Sequence, residues 1–157
     1  MNKFLFFFLV LLTTILTAQA QDFNTIPFHS DLNSLQDGWY KFELQGTQFD
    51  VEFASGKLKK GNITWSDGST YSGSLSGVSF SGKGTYIWPD GSRYEGSFKN
   101  HKRHGKGSLI HTDGTKWSGK WTANNKNGKG TSFDTQGEAI QKGVWESNEL
   151  IKETAIR

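Results

Sequence analysis

Residues 94–114 read YEGSFKNHKRHGKGSLIHTDG, and this stretch decides the fold because its pattern recurs every 23 residues. The Asp-Gly pair that closes it stands also at 67–68 and 90–91. A ring, a glycine and a second large apolar residue keep the same spacing, as Tyr71, Gly73 and Leu75, then Tyr94, Gly96 and Phe98, then Trp117, Gly119 and Trp121. Self-similarity at a fixed period of this length predicts an array of identical supersecondary units.

Each unit has the pattern of two short strands joined by a tight turn. In Arg93–Phe98, strand alternation places both rings and the glycine between them on one face. That glycine leaves a gap in which a ring of the neighbouring strand can lie flat. The second strand is predicted at Gly84–Trp88, and Pro89–Ser92 supplies the turn. The sequence therefore predicts an all-β protein, an elongated single-layer antiparallel β-meander with one β-hairpin per 23-residue repeat.

The stretch 94–114 closely resembles the MORN family, the membrane occupation and recognition nexus repeats. The resemblance covers about 49–145, with the best copies starting near Tyr71, Tyr94 and Trp117 and decayed copies at both ends. It implies a twisted, largely single-layer sheet with a ring-lined groove, and a role in assembly and partner binding. Lipid binding has also been proposed for the family. We assign residues 47–145 to the repeat array.

Residues 1–20 have the features of a signal peptide. Lys3 supplies a positive start, an apolar run of about 13 residues follows, and Ala18 and Ala20 give the small-x-small form of a cleavage site. The run is shorter than the roughly 20 residues that span a bilayer, although an uncleaved membrane anchor remains the alternative. We therefore expect a secreted or periplasmic protein.

Two further segments lie outside the predicted array. Residues 21–46 contain Tyr40, Phe42 and Leu44, which alternate as in a strand, and we interpret this segment as an N-terminal cap over the first repeat. Residues 146–157 are interpreted as a C-terminal tail.

The composition favours a thin sheet over a thick layered core. The chain has 19 glycines and 22 aromatic residues, against 34% hydrophobic residues in all, so rings must supply most of the buried area. The absence of cysteine excludes disulfides, zinc–thiolate sites and cysteine nucleophiles. The charge is uneven: residues 57–130 hold thirteen basic and four acidic residues, a net +9, between flanks of −5 at 21–56 and −2 at 131–157.

No stretch of the sequence has the pattern of a catalytic or metal site. Each Asp-Gly pair offers one carboxylate where calcium needs several oxygens, and turn chemistry accounts for the pair. His101, His104 and His111 lack a positioned carboxylate or cysteine, and we interpret them as solvated loop residues. We expect no enzymatic activity, no cofactor, no metal and no nucleic-acid partner.

Two surfaces are candidates for binding. One is a basic patch in and beside a predicted loop at 100–105, for which a solvated face or a contact with the acidic segment 21–56 is the alternative. The other is the ring side of the sheet, because a single layer cannot cover both of its faces; complete ring packing within the array is the alternative there. The candidate partner-binding residues are Tyr71, Tyr86, Trp88, Tyr94, Phe98, Trp117, Trp121, Lys102, Arg103 and Lys106.

These surfaces favour a non-catalytic exported module that mediates protein–protein interaction or assembly, including self-association, through its aromatic sheet face and basic loops. The alternative hypothesis is a module that binds cell-envelope carbohydrate or an anionic lipid surface.

Overall fold

The computed structural model describes residues 36–156, so the predicted signal peptide with Ala18 and Ala20 lies outside the described residues. Residues 36–156 form one sheet of eleven antiparallel strands in which each strand pairs with the next along the chain. The prediction of an all-β antiparallel meander is confirmed. The strands are β1 Gly38–Leu44, β2 Thr47–Ala54, β3 Lys57–Thr64, β4 Thr70–Ser76, β5 Ser79–Ile87, β6 Arg93–Lys99, β7 Lys102–Ile110, β8 Lys116–Thr122, β9 Asn125–Phe133, β10 Ala139–Glu146 and β11 Glu149–Glu153.

Two kinds of turn alternate along the repeats. In the Asp-Gly turns the carboxylate is used internally: Asp90 accepts hydrogen bonds from the hydroxyl and the backbone N–H of Ser92, at 2.6 and 2.8 Å. These two bonds, the hydroxyl's first, lower the pKa of Asp90. The other turn has two residues, such as Asn100 and His101, whose φ angles are 51° and 62°. Positive φ at both central residues matches the twist of the flanking strands.

The second strand of each hairpin begins earlier than the sequence predicted. β5 starts at Ser79 rather than at Gly84, and β7 starts at Lys102. A bulge in the β6–β7 pairing allows this, with Gly105 at φ 72° in the bulged strand. The predicted loop at 100–105 is therefore wrong: it is a two-residue turn followed by strand, and most of its basic residues lie in the sheet.

The sheet extends beyond both predicted ends of the array. The described part of segment 21–46 contains β1, which pairs with β2, and the segment 146–157 contains β11, which pairs with β10. At the first end Phe42 stacks on Phe49, with ring centroids 4.7 Å apart. Neither end strand carries the 23-residue pattern, and each is held by its backbone pairing with the one strand beside it.

The buried side chains lie on one face of the sheet, which we call the ring face. The core comprises fourteen residues, Tyr40, Leu44, Phe49, Val51, Phe53, Ile63, Tyr71, Leu75, Phe80, Tyr94, Phe98, Trp117, Trp121 and Trp145. The opposite face, which we call the lysine face, carries hydroxyl side chains and the lysines Lys83, Lys106, Lys120, Lys129 and Lys142. Strand alternation separates the two sets, so the buried rings lie on one side of the sheet and the five exposed lysines lie on the other.

Candidate functional site

On the ring face, each repeat lays a ring over a pair of glycines on adjacent strands. Gly96 and Gly107 are cross-strand partners, and a Cβ on either would collide with the ring of Tyr94. The glycine pair of the next repeat lies in the same way under Trp117. The sequence pattern had predicted a ring from the neighbouring strand. The ring comes instead from the strand of the first glycine, two residues earlier, and covers the glycines of both strands.

Tyr71 and Tyr94 are fully enclosed on the ring face and are still hydrogen-bonded. The hydroxyl of Tyr71 donates to the carbonyl of Ser74 at 2.7 Å, and that of Tyr94 donates to Ser97 at 3.0 Å. Burial raises the pKa of Tyr94 to about 12, and it raises that of Tyr71 further still. In the third repeat Trp117 replaces the tyrosine, and its buried Nε1 has no hydrogen-bond partner among the described residues.

The buried rings form a continuous edge-to-face series across the sheet. Phe98 contacts Tyr71 and Tyr94 with ring centroids 5.4 and 5.0 Å apart. Trp121 contacts Tyr94 and Trp117 at 5.4 and 5.0 Å. The four interplanar angles lie between 84° and 86°, the arrangement that aromatic quadrupoles favour. The buried rings therefore pack mainly against one another within the sheet.

This packing divides the residues that the sequence proposed for partner binding. Five of the seven rings are buried in the sheet: Tyr71, Tyr94, Phe98, Trp117 and Trp121. Tyr86 and Trp88 are partly exposed and pack on the edge of the core. The ring face is thus filled along its centre, and the rings still accessible lie along its margin.

The basic residues proposed for binding are divided between the two faces. Arg103 lies on the ring face, where it pairs across the strands with Phe98. Lys106 lines the lysine face, and Lys102 is exposed beside the hairpin turn. The basic patch read from the sequence is therefore not one surface, because strand alternation sends neighbouring residues to opposite sides.

One position in each hairpin lies over the buried rings, and its residue differs between copies. The three occupants are 23 residues apart, and each pairs with the second apolar residue of its repeat: Phe80 with Leu75, Arg103 with Phe98 and Lys126 with Trp121. In the first copy Phe80 lies parallel to Tyr71, with ring centroids 3.7 Å apart. In the next two copies a cation takes the place of this ring.

Arg103 lies among three rings. Its guanidinium carbon is 4.4 Å from the ring centroid of Trp121, 5.8 Å from that of Trp88 and 5.9 Å from that of Tyr94. The guanidinium donates a hydrogen bond from Nη2 to the carbonyl of Asn124 at 2.9 Å. Burial lowers its pKa. Cation–π attraction holds the guanidinium in place, but no carboxylate of residues 36–156 pairs with it.

Lys126 occupies the same position one repeat later. Its Nζ lies over the rings of Trp117 and Trp145, 5.3 and 5.0 Å from their centroids. Burial lowers the pKa of Lys126, and the charge of Arg103 lowers it further. Within the described chain none of the ion pairs includes this lysine. Lys126 is not among the binding residues that the sequence predicted, although its spacing of 23 residues from Arg103 was the signal that could have identified it.

The turn residues fasten each of these positions to the following repeat. The backbone N–H of Arg103 donates to Oδ1 of Asn124, and that of Lys126 donates to Oδ1 of Asn148, at 2.8 and 2.9 Å. In the first copy His101 has this role: its Nδ1 accepts from the backbone of Phe80 at 3.4 Å. His101 is therefore not the solvated loop residue that the sequence predicted, and burial lowers its pKa.

The lysine face has two shallow depressions, with volumes of about 880 and 500 Å³. They share Ser118, Lys129 and Val144 and so join into one groove, which we call the lysine groove. Its floor is the bare backbone of the glycine pairs, whose other side the rings cover. The resemblance had implied a groove lined by rings, whereas this groove is lined by lysines and hydroxyls.

Residues 36–156 contain no cluster of three or more His, Cys, Asp or Glu side chains that could hold a metal ion. In the same part of the chain, no helix has the length and apolar character needed to cross a bilayer.

The comparison with protein families agrees with the geometry of the repeats. The MORN repeat matches at three consecutive positions, residues 80–93, 94–116 and 117–137. These segments cover β5 from its second residue through β9, with Tyr94 and Trp117, and Arg103 and Lys126, in corresponding places. A search among curated proteins finds no match. The sequence repeat, the single meandering sheet and the family match agree, and residues 80–137 of the chain are three consecutive MORN repeats.

Proposed function

We propose that this chain is a non-catalytic binding module whose ring face receives an acidic, partly apolar segment of a partner protein. MORN repeats are modules of protein or membrane-lipid interaction, and the family is generally non-enzymatic. The proposal adds to this general role the face that binds and the chemistry that it recognises.

The observation that carries the proposal is the pair of partly buried cations on the ring face. A buried charge is costly unless an opposite charge or hydrogen bonds compensate for it. Rings compensate Arg103 and Lys126 in part, and no carboxylate of the described chain does so. The carboxylates of the Asp-Gly turns lie at the other ends of the strands and are held by their own turn residues, as at Asp90 and Asp113. Two carboxylates from a partner would supply what is missing.

The surroundings of the cations favour a polypeptide over a lipid surface. Partly buried apolar side chains border the core, including Trp88, Leu109 and Leu150. A segment with alternating acidic and apolar residues would cover them and meet both cations. Lipid head groups are attracted instead by fully exposed basic side chains, and both of these cations are recessed among rings.

The residues of the proposed interface then have different parts in the interaction. Arg103 and Lys126 contact the carboxylates, while Tyr86 and Trp88 contact apolar side chains of the partner. The buried set Tyr71, Tyr94, Phe98, Trp117 and Trp121 forms the rigid floor that positions the cations. Lys102 lies beside the turn, where it increases the rate of association with an acidic partner.

A peptide-display selection against the full chain tests this proposal. We expect the selected peptides to contain acidic residues and to bind the variant R103M/K126M at least about tenfold more weakly, the equivalent of about 1.4 kcal/mol. Methionine keeps the apolar stem and removes the charge. The matched control is K106M/K129M, which removes two charges from the lysine face and should bind the same peptides with unchanged affinity.

Two outcomes would overturn the assignment. One is a selection that yields peptides without acidic residues. The other is a set of acidic peptides whose affinity falls equally in both double variants, since this would show a response to net charge alone.

We further propose that the module acts outside the cytosol. The support lies in the sequence of residues 1–20, which lie outside the described part of the structure. N-terminal sequencing of the protein recovered from an exporting host should give Gln21 as the first residue. A protein that retains Met1 would contradict cleavage.

A further inference from the structure

We infer that the lysine groove on the opposite face is a binding site for an anionic polysaccharide. The groove crosses the sheet from β5 to β10, and neither its residues nor its ligand class overlap with those proposed for the ring face.

The lysines of the groove lie on every strand from β5 to β10 except β6, which contributes Glu95. Lys83 lies on β5, Lys106 on β7, Lys120 on β8 and Lys129 on β9, and Lys106 and Lys120 are direct cross-strand partners. Lys142 on β10 continues the groove. With strands about 4.8 Å apart, the five strand spacings from Lys83 to Lys142 span roughly 24 Å. Such a row fits an extended chain that carries negative charges at intervals.

These positive charges lack counter-charges in the described part of the chain. None of the five lysines belongs to an ion pair there. The groove has one acidic side chain, Glu95, whose carboxylate accepts a hydrogen bond from Arg93 at 2.6 Å. Like charges placed opposite each other destabilise a sheet, and Lys106 and Lys120 are placed in this way. A bound polyanion removes this repulsion.

The remaining side chains of the groove suit the hydroxyl groups of sugars. Ser108 and Ser118 face each other across β7 and β8, with their Oγ atoms 2.9 Å apart. Thr131 and Thr154 extend this hydroxyl set towards β10 and the residues after β11. Each hydroxyl can donate and accept. Because the floor is glycine backbone, a flat sugar ring can approach the sheet closely.

The same lining disfavours other anionic macromolecules. Single-stranded nucleic acids stack their bases on aromatic side chains, and no ring of residues 36–156 lines this groove. A protein interface has an apolar centre, and Val144 is the one large apolar side chain among the described lining residues. A membrane presents a flat surface, which cannot enter the recess to reach the serines. A linear polysaccharide with acidic groups satisfies both the charges and the hydroxyls.

Isothermal titration of the full chain with oligogalacturonate, and in parallel with a heparin-derived oligosaccharide, tests this inference and separates carboxylate from sulfate recognition. A neutral maltooligosaccharide and anionic phosphatidylglycerol vesicles serve as comparison ligands. We expect binding of at least one acidic oligosaccharide that weakens with added salt. The variant K106Q/K120Q/K129Q should lose about tenfold or more in affinity.

The matched control is K57Q/K59Q/K99Q, which removes the same charge from exposed lysines outside the groove and should bind normally. Equal losses in the two triple variants would overturn the inference, as would failure of both acidic oligosaccharides or binding of the vesicles alone. The R103M/K126M variant should retain oligosaccharide binding, so the two proposals fail independently.

Discussion

The first well-formed repeat and the two that follow share one scaffold and differ in the residue that covers its rings. In the first, Phe80 stacks on Tyr71 and is itself 2% exposed. In the others, Arg103 and Lys126 occupy the equivalent positions and remain partly exposed. The buried rings are therefore covered by an apolar side chain in the first repeat and by a partly exposed cation in each of the later two.

In the proposed function, the same position of the repeat contributes to stability in the first copy and to binding in the two later copies. Burial of a phenylalanine contributes to folding, whereas a cation on the same rings is partly dehydrated, and its pKa falls accordingly. Positions that stabilise a protein less than their equivalents do are expected where binding requires it. In the proposed function, the contrast between Phe80 and the two cations assigns binding to the later repeats.

Truncation should show the largest contrast between the copies. Phe80→Ala removes a buried ring that stacks on Tyr71, so the free energy of unfolding should fall by about 3–5 kcal/mol. Arg103→Ala, at the equivalent position, removes ring contact and also a dehydrated charge, so the change should stay within about 1 kcal/mol. Urea denaturation of the two variants measures both values. Equal losses would mean that the two positions contribute alike to stability.

The glycine pairs should respond alike in all copies, which checks that the scaffold is shared. A Cβ at Gly84 would meet the ring of Tyr71, and one at Gly107 would meet Tyr94. Gly84→Ala and Gly107→Ala should each lower the free energy of unfolding by about 1–3 kcal/mol, the usual cost of overpacking. The control Ser97→Ala should change it by less than about 0.5 kcal/mol. If Gly107→Ala left the free energy of unfolding unchanged, Tyr94 would not lie against that glycine.

Placing phenylalanine, the residue of the first repeat, at positions 103 and 126 should affect stability and binding in opposite directions. The double variant R103F/K126F replaces two dehydrated cations by rings, and we expect unfolding to require about 1 kcal/mol more. The same variant should lose affinity for acidic peptides. Denaturant midpoints and peptide titration of one preparation measure both effects. A variant that is less stable than the parent protein would contradict the view that the cations are held for binding.

The repeat made most of this fold predictable from the sequence. The spacing of Gly96 from Tyr94 and Phe98 placed the rings and the glycine on one face, and the structure has them there. The resemblance and the 23-residue period indicated the family and the meander. The alternation in β1 was interpreted as a cap and β11 was interpreted as a tail, because neither strand carries the 23-residue repeat.

The candidate site was less predictable, for two physical reasons. Whether a ring such as Trp121 is accessible depends on how it packs against Tyr94 and Trp117, and sequence alternation alone does not determine this. The side to which Arg103 and Lys106 point depends on where β7 begins, and a loop had been predicted there. Once the strand starts at residue 102, the two residues point to opposite faces.

The tyrosines predict a pH response that the tryptophan-bearing third repeat lacks. Tyrosine in the unfolded chain has a pKa of about 10, and burial raises that of Tyr94 to about 12. A raised folded-state pKa gives stability that is present below pH 10 and is lost as the pH rises towards 12. Tyr94→Phe should reduce this alkaline loss, as measured by denaturation at several pH values. Formation of tyrosinate by all four tyrosines near pH 10, without unfolding, would contradict the enclosed position of Tyr94.

The smallest effect concerns the hydrogen bond between Phe80 and His101, which makes the first copy sensitive to acidic pH. His101 accepts a hydrogen bond from Phe80 at Nδ1, where Asn124 and Asn148 use a carbonyl oxygen that stays uncharged. The unfolded histidine has a pKa of about 6.5, and burial lowers it in the folded chain. Below pH 6.5 the unfolded state therefore takes up the proton first, and stability falls. His101→Asn should leave stability at neutral pH within about 0.5 kcal/mol of the parent and flatten the loss between pH 6.5 and lower values. If the variant and the parent lose stability equally on acidification, the contact between Phe80 and His101 does not depend on a neutral histidine. The copies then differ only in the residue that covers their rings.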